Sequence, residues 1–343
     1  MTAKEIADEL KKLSKKELNE IIAMFGGSEV YKEETKDEFM MKKRFADGIF
    51  CPHCLSRHTS KNGHRPDGTQ NFICMDCRKQ FSSTTRTILA GSPKRLSVWK
   101  KYVESLMNGD SLRKSAAICG LDLTTSFYWR HKILDALQNM AEKVELSGIV
   151  EGDEKYFPIS YKGNRTRSGT KIPRGSRKRG GEVGKRGLSD EQACVPCAVS
   201  RTGLSIAVVT NSGKPSARDI SRAFSGRIKA GTDFCCDKMN SYKKFAEENA
   251  LTLHQSKAEG SRSGIYNIQR VNNYHSRLDK FMSRYNGVAT KYLANYLILN
   301  NIVNYSKETF LEKQNIFIDF VFSTNKTVLS RNVRKRPILP WSA

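Results

Sequence analysis

Two Cys-x-x-Cys pairs, Cys51-Pro-His-Cys54 and Cys74-Met-Asp-Cys77, constrain this chain more tightly than any other feature. Each pair sets two thiols on one tight turn, which is half of a tetrahedral zinc site. The intervening loop carries Gly63, Gly68 and Asn71, turn residues suited to a β-hairpin between two knuckles. The pattern predicts a zinc ribbon over residues 45–90, with a structural zinc on Cys51, Cys54, Cys74 and Cys77. Four protein ligands leave no open position for catalysis. His53, His58 and His64 are expected to face DNA or solvent rather than the metal. Arg57, Lys61, Arg65, Arg78, Lys79 and Arg86 form either a nucleic-acid contact surface or a solvated basic face. The nine cysteines are odd in number and spaced as metal ligands, so a reducing, cytoplasmic compartment fits better than a secreted disulfide framework.

Charge narrows the partner. A formal net charge of +24 over 343 residues implies self-repulsion that a polyanion relieves, and double-stranded DNA leads that inference. An anionic membrane is the competitor. It is disfavoured because the sequence has no 18-residue apolar run, signal peptide or basic amphipathic anchor. The expected location is therefore the cytoplasm, in association with the nucleoid.

Residues 1–44 read as a helical segment: Ile6, Leu10, Leu13, Leu18, Ile21, Ile22 and Met24 recur near helical spacing, and Gly26-Gly27 ends the run. Residues 91–146 suggest a helix-turn-helix. Ala116 and Ala117 permit close packing, Gly120 sits at the turn, and Thr124 or Thr125 would cap a second helix. That helix carries Tyr128, Arg130, His131 and Lys132, and Arg130 and Lys132 are taken as major-groove contacts. A helical hairpin that merely packs domains together is the plainer reading.

From residue 147 the pattern changes to strands. Gly148–Phe157, Ala193–Ser200 and Leu204–Thr210 read as three successive strands and Ser216–Phe224 as a helix. Thr232–Asp237 then reads as a fourth strand, Ser241–Glu248 as a helix and Leu251–Gln255 as a fifth strand. The whole chain is thus α+β and α/β in class, and residues 147–306 predict an RNase H-like mixed sheet flanked by helices. Asp153 lies in the first strand and Asp237 closes the fourth. Asn272 follows after 34 intervening residues, at the head of a long helical pattern. Carboxylates at neighbouring strand ends plus an oxygen ligand from a helix suit a two-metal phosphoryl-transfer site holding two magnesium ions, with manganese as the substitute. The irregularity is the third ligand, an amide; its plainer reading is a helix cap.

The insertion at 162–187 is dense in Lys, Arg and Gly, cannot form a core of its own, and leaves from the strand bearing Asp153. Arg174, Arg177, Lys178, Arg179, Lys185 and Arg186 are read as a clamp on the DNA backbone, giving salt-sensitive affinity, or else as a solvated loop. Cys194 and Cys197, with Cys235 and Cys236, are small buried residues of a sheet rather than a second metal or redox site. Tyr274, Leu278, Phe281, Tyr285, Tyr292, Tyr296 and Leu299 have core spacing, so Tyr292 is expected in the core and not as a nucleophile. Residues 307–343 read as a C-terminal tail whose Arg331–Arg336 stretch has no assignable role.

Over about residues 45–305 the chain resembles bacterial insertion-sequence transposases of the ISXO type, which join a zinc ribbon to an RNase H-like domain with an Asp-Asp-Asn/Glu triad. The resemblance rests on the four cysteines, Phe81-Ser-Ser-Thr-Thr-Arg-Thr-Ile88, Glu151-Gly-Asp-Glu-Lys-Tyr-Phe157 and Lys185-Arg-Gly-Leu-Ser-Asp-Glu-Gln192. Val271-Asn-Asn-Tyr-His-Ser-Arg-Leu278 and Tyr285-Asn-Gly-Val-Ala-Thr-Lys-Tyr-Leu293 are its most specific segments. It implies binding of element ends, strand cleavage and strand transfer. Asp153 would bridge both metals, Asp237 would hold one, and Asn272 would take the third position. Glu151, Glu154 or Asp279 could restore the charge an amide lacks, and His275 would stand behind Asn272. Arg277 is a further DNA contact. The family usually has a basic residue directly after Ser-Arg-Leu; here Asp279 stands there, so the role would pass to Lys280. Joining two ends implies a homodimer or larger synaptic complex. The rival readings are a catalytically dead DNA-binding regulator and a nuclease of the same fold.

Overall fold

The computed structural model describes residues 6, 9–10, 12–24, 33–164, 189–255, 264–304, 308–326 and 328–340. The chain enters through helix α1 (Lys15–Met24) and helix α2 (Lys36–Lys43). Thr35 caps α2 reciprocally with Glu38. Strands β1 (Thr59–His64), β2 (Gln70–Cys74) and β3 (Gln80–Ser82) form a three-stranded antiparallel sheet. Phe45, Phe72 and Phe81 supply its small core.

Three helices follow: α3 (Leu96–Met107), α4 (Leu112–Cys119) and α5 (Leu123–Glu142). Ser111 caps α4, and Gly120 ends it in the left-handed region at φ 58°, where a β-carbon is costly. Asp122 occupies the N-cap of α5, so Thr124 and Thr125 lie inside the helix and do not cap it. The Trp99 and Trp129 rings of α3 and α5 stack face to face at the centre of this layer.

The second sheet runs β6-β5-β4-β8-β9, with β7 also paired to β5. Its strands are β4 (Ile149–Pro158), β5 (Gln192–Ser200), β6 (Ser205–Ala207), β7 (Asn211–Ser212), β8 (Asp233–Cys236) and β9 (Thr252–Gln255). β5 is antiparallel to β4 and β6, while β8 is parallel to β4 and to β9. Helices α6 (Ala217–Phe224) and α7 (Asn240–Glu248) cover one face. Helices α8 (Gln269–Ser283) and α9 (Leu293–Asn304) cover the other. Because both faces are covered, β5 reads as a nearly unbroken apolar run instead of alternating. Pro196 sits inside it without breaking the ladder. Its carbonyl accepts Val208 N–H at 3.2 Å, so its missing N–H falls where β6 has ended and β7 has not begun.

The segment after residue 306 is not a tail. Helix α10 (Phe310–Ser323) buries Phe317, Val321 and Phe322 in the helical core, and helix α11 (Ser330–Arg334) buries Val333. Phe322 meets both Phe39 of α2 and Trp99 of α3 edge to face. Arg334 lies over the Tyr128 ring and Arg336 pairs with Asp135, which gives the basic stretch a docking role. Tyr292 is buried as expected, and its hydroxyl donates to the Val333 carbonyl at 3.1 Å.

Candidate active site and cysteine cluster

Strand β4 and helix α8 lie against each other in register. Two strand residues advance about 6.6 Å and four helix residues about 6 Å, so contacts can repeat along the pair. Glu151 meets the N–H groups of Arg270 and Val271. Asp153 Oδ2 lies 3.6 Å from His275 Nδ1. Lys155 Nζ pairs with Asp279 Oδ2 at 2.6 Å. Residues 151, 153 and 155 share one strand face by the period of two, and Glu154 points to the other.

β8 brings in the second aspartate. Glu151 is paired with Cys235, and Asp237, the residue that follows β8, lies near enough to Asp153 for its charge to act on that carboxyl. Asp237 is held in a tight turn: Oδ1 accepts Met239 N–H at 3.0 Å and its carbonyl accepts Gln255 Nε2 at 3.0 Å. Burial pushes the Asp153 carboxyl up to about 6, and the neighbouring Asp237 charge adds to the rise. Two neighbouring carboxylates, one of them raised by burial, are a donor set that a divalent cation fits.

Asn272 lies on α8 one turn before His275, exposed, and its side-chain amide makes no hydrogen bond among the described residues. It is no helix cap, because Ile268 holds that position. Burial, with the Lys155 charge adding, pushes His275 down to about 4 and keeps it neutral. Its Nε2 is buried without a hydrogen-bond partner among the described residues.

None of the acids expected to restore the missing charge joins the aspartate pair. Glu151 is fully buried and committed to Arg201 and the start of α8. Asp279 is committed to Lys155. Glu154 lies on the opposite sheet face beside Tyr242, and burial raises its carboxyl to about 8. Arg201 and Lys155 escaped the reading of the sequence, although Lys155 has the same strand parity as Asp153. Lys280 and Arg277 are exposed on α8, and Lys132 is half-buried. Arg174, Arg177, Lys178, Arg179, Lys185 and Arg186, with most of the 162–187 insertion, lie outside the described residues.

Arg130 is corrected outright. It is 1% exposed; its guanidinium donates to the Asp110 carbonyl at 2.7 Å and the Ser115 hydroxyl at 3.2 Å and lies over the Tyr285 ring. His131 is buried too, so α5 exposes side chains only toward its two ends, at Leu123 and Thr124 and at Gln138, Asn139 and Glu142. Cys194 and Cys197 are both buried and, by strand parity, point to opposite faces, which rules out a joint metal or redox pair.

The four ribbon cysteines do converge. Their sulfurs all lie within 4.8 Å of one another, with Cys51–Cys77 and Cys54–Cys74 each at 3.6 Å. Tetrahedral zinc with bonds near 2.3 Å sets sulfurs about 3.8 Å apart, so the cluster can bind zinc. Among the described residues no other group of three or more Cys, His or acidic side chains gathers this way. Leu55 and Arg78, each one residue past the second cysteine of a pair, adopt φ 66° and φ 57° and turn the backbone back toward the thiols. Backbone N–H groups of Cys77 and Asp76 push Cys74 down to about 7 and favour its thiolate. Arg57, Lys61, Arg65, Arg78, Lys79 and Arg86 are all exposed around the ribbon.

Residues 145–299, the span of the acid-bearing sheet and α8, match the ISXO2-like transposase domain. This stretch is an ISXO2-like transposase domain. A relative from Halobacterium salinarum, described as an uncharacterized protein in transposable element ISH50, is 24% identical over 257 residues, covering 74% of this chain and 84% of the relative. Two solved structures also align with this chain. One is the simian T-cell lymphotropic virus intasome in complex with PP2A regulatory subunit B56 gamma, at 10% identity and TM-score 0.29, covering 61% of this chain and 70% of the other. The second is a pre-cleavage Mos1 transpososome, at 10% identity and TM-score 0.21, covering 66% and 79%. At those scores neither bears on the argument. Among the described residues no helix is long and apolar enough to cross a membrane.

Proposed function

We propose that this chain is a DNA transposase that binds the ends of an insertion sequence, cleaves there and transfers the strand to target DNA. What supports the reading is that Asp153 on β4 and Asp237 just past the neighbouring β8 lie close enough to interact, beside the helix that carries Asn272, within a stretch that matches the ISXO2-like transposase domain. In this reading the domain is RNase H-like, and Asp153, Asp237 and Asn272 hold two magnesium ions, with manganese as the substitute. When bound, such ions activate the attacking oxygen and stabilise the departing one. Asp153 and Asp237 contribute two charges and Asn272 a neutral oxygen. Neutral His275 adds no charge beside Asp153 and leaves that carboxylate free to act as a ligand. Lys155, two residues along β4, pairs with Asp279, and its charge partly offsets the rise at Asp153.

DNA is held outside this centre. The basic rim of the ribbon, the exposed Arg277 and Lys280 of α8, and the 162–187 stretch supply phosphate contacts, which predicts affinity that falls steeply with salt. Two ends joined in one reaction call for a homodimer or larger synaptic complex, acting at the nucleoid.

The test is strand transfer in vitro with pre-cleaved ends of the flanking element, in magnesium or manganese, comparing the native chain with Asp153→Ala. Metal-dependent joining that is lost in the variant supports the reading. Tight end binding without joining in either metal replaces it with a DNA-binding regulator, and cleavage without joining replaces it with a nuclease.

A further inference from the structure

Glu151 differs from the other acids near the site because one of its oxygens accepts two helix N–H groups and the other is ion-paired. The residue is wholly buried; Oε2 accepts the N–H groups of Arg270 at 2.5 Å and Val271 at 3.1 Å, and Oε1 lies 2.9 Å from Arg201 Nη2. Helix α8 starts at Gln269, and its N-cap, Ile268, has no side chain able to accept a hydrogen bond. A helix start leaves its first N–H groups without partners and carries a partial positive charge. Glu151 supplies both the acceptor and the opposite charge from the neighbouring strand. Arg201 braces the arrangement. Its backbone N–H donates to the Ile149 carbonyl at 3.0 Å and its guanidinium to the Ile265 carbonyl at 2.7 Å, so one side chain ties the end of β5 to β4 and to the approach to α8.

Asn272 is the next residue after Val271. We propose that Glu151, braced by Arg201, is a positioning residue that fixes the first turn of α8 and thereby sets the Asn272 amide toward Asp153 and Asp237, without itself holding an ion. The proposal rests on the metal-site reading above. It explains how a weak, neutral ligand can serve: an amide on a rigid helix start keeps its place without the attraction that a carboxylate would have.

The experiment uses full-length, zinc-loaded protein as wild type, Glu151→Gln, Glu151→Ala and Arg201→Gln, each checked for an unchanged thermal unfolding profile. Three quantities are read: hydrogen exchange at residues 270–272, Mn²⁺ binding by titration, and strand transfer. Glu151→Ala should speed exchange at 270–272 and weaken Mn²⁺ binding and strand transfer by about 10- to 100-fold, the usual effect of losing a residue behind a ligand. Glu151→Gln keeps an acceptor for the helix N–H groups and should recover most of the loss, with Arg201→Gln in between. If Glu151→Ala fails to fold, the Gln and Arg201 variants carry the comparison. Wild-type Mn²⁺ binding together with an unaffected Glu151→Ala overturns this proposal alone. Equal loss in Gln and Ala with unchanged exchange at 270–272 makes Glu151 a ligand and also overturns it. Absence of Mn²⁺ binding by the wild type overturns the metal-site reading and this proposal with it.

Discussion

Replacing Asp153 by Asn should stabilise the metal-free protein. An ordinary aspartate titrates near 3.8, and Asp153 in the folded chain at about 6. Above both values the folded state holds a charge it disfavours, at about 1.36 kcal/mol per pH unit of that gap, or roughly 3 kcal/mol. The sign follows from a carboxyl raised on folding. The native state binds the proton more tightly than the unfolded chain, so wild-type stability declines as pH rises from about 3.8 to 6 and levels off beyond. The same linkage leaves a penalty of about 1.6 kcal/mol at pH 5. Asn keeps the shape of the side chain and removes the charge, so Asp153→Asn should gain about 1–3 kcal/mol at pH 7.5 and about half as much at pH 5. Guanidinium unfolding of both proteins in metal-free buffer, at fixed zinc, measures the difference, and contributions common to both cancel. Added magnesium should raise the wild type toward the variant and leave the variant unmoved. A variant no more stable than wild type at pH 7.5, or an advantage independent of pH, would refute the desolvation of the Asp153 carboxylate beside Asp237.

Other residues make separate commitments. Arg130→Ala removes a buried guanidinium from its carbonyl and hydroxyl partners, and should cost about 3 kcal/mol while leaving the salt dependence of DNA binding unchanged; a fall in the salt slope would return Arg130 to the DNA surface. Gly152→Ala sets a methyl group against the Phe234 ring, so denaturant unfolding should show about 1–3 kcal/mol of destabilisation, and a silent substitution would contradict the packing of β4 on β8. Purified protein should carry one zinc per chain by metal analysis, and Cys74→Ser should lose it along with protection of β1–β3 from proteolysis. Retention of zinc in that variant would exclude the four-sulfur site.

Much of the centre could be read from local pattern because local pattern determines it. The Cys-x-x-Cys turns, the run before Asp153 and the run closing at Asp237 are each decided within about ten residues by period and turn chemistry. What failed depended on partners distant in sequence. Arg130 looked like a groove-facing residue because nothing near it reveals that Tyr285 covers it. Residues 310–322 looked like a tail because most of the surface they pack against, on α2, α3 and α5, lies some 170 residues and more before them. The strand period could have separated Glu154 from Asp153, since adjacent residues of a strand cannot share a face. No such rule would have given Glu151 its role, which needs the register between β4 and a helix more than a hundred residues later.

The meeting of Phe39 with Phe322 also bears on synthesis. A ribosome releases the ribbon and the strands first, and the ribbon can close on its zinc as soon as Cys77 has emerged. The layer around Trp99 lacks its lid until α10 leaves the exit tunnel, more than 200 residues after α3. A chain that stops before residue 322 therefore leaves Trp99 without its edge-to-face partner, and residues 310–322 act as the seal on the helical layer.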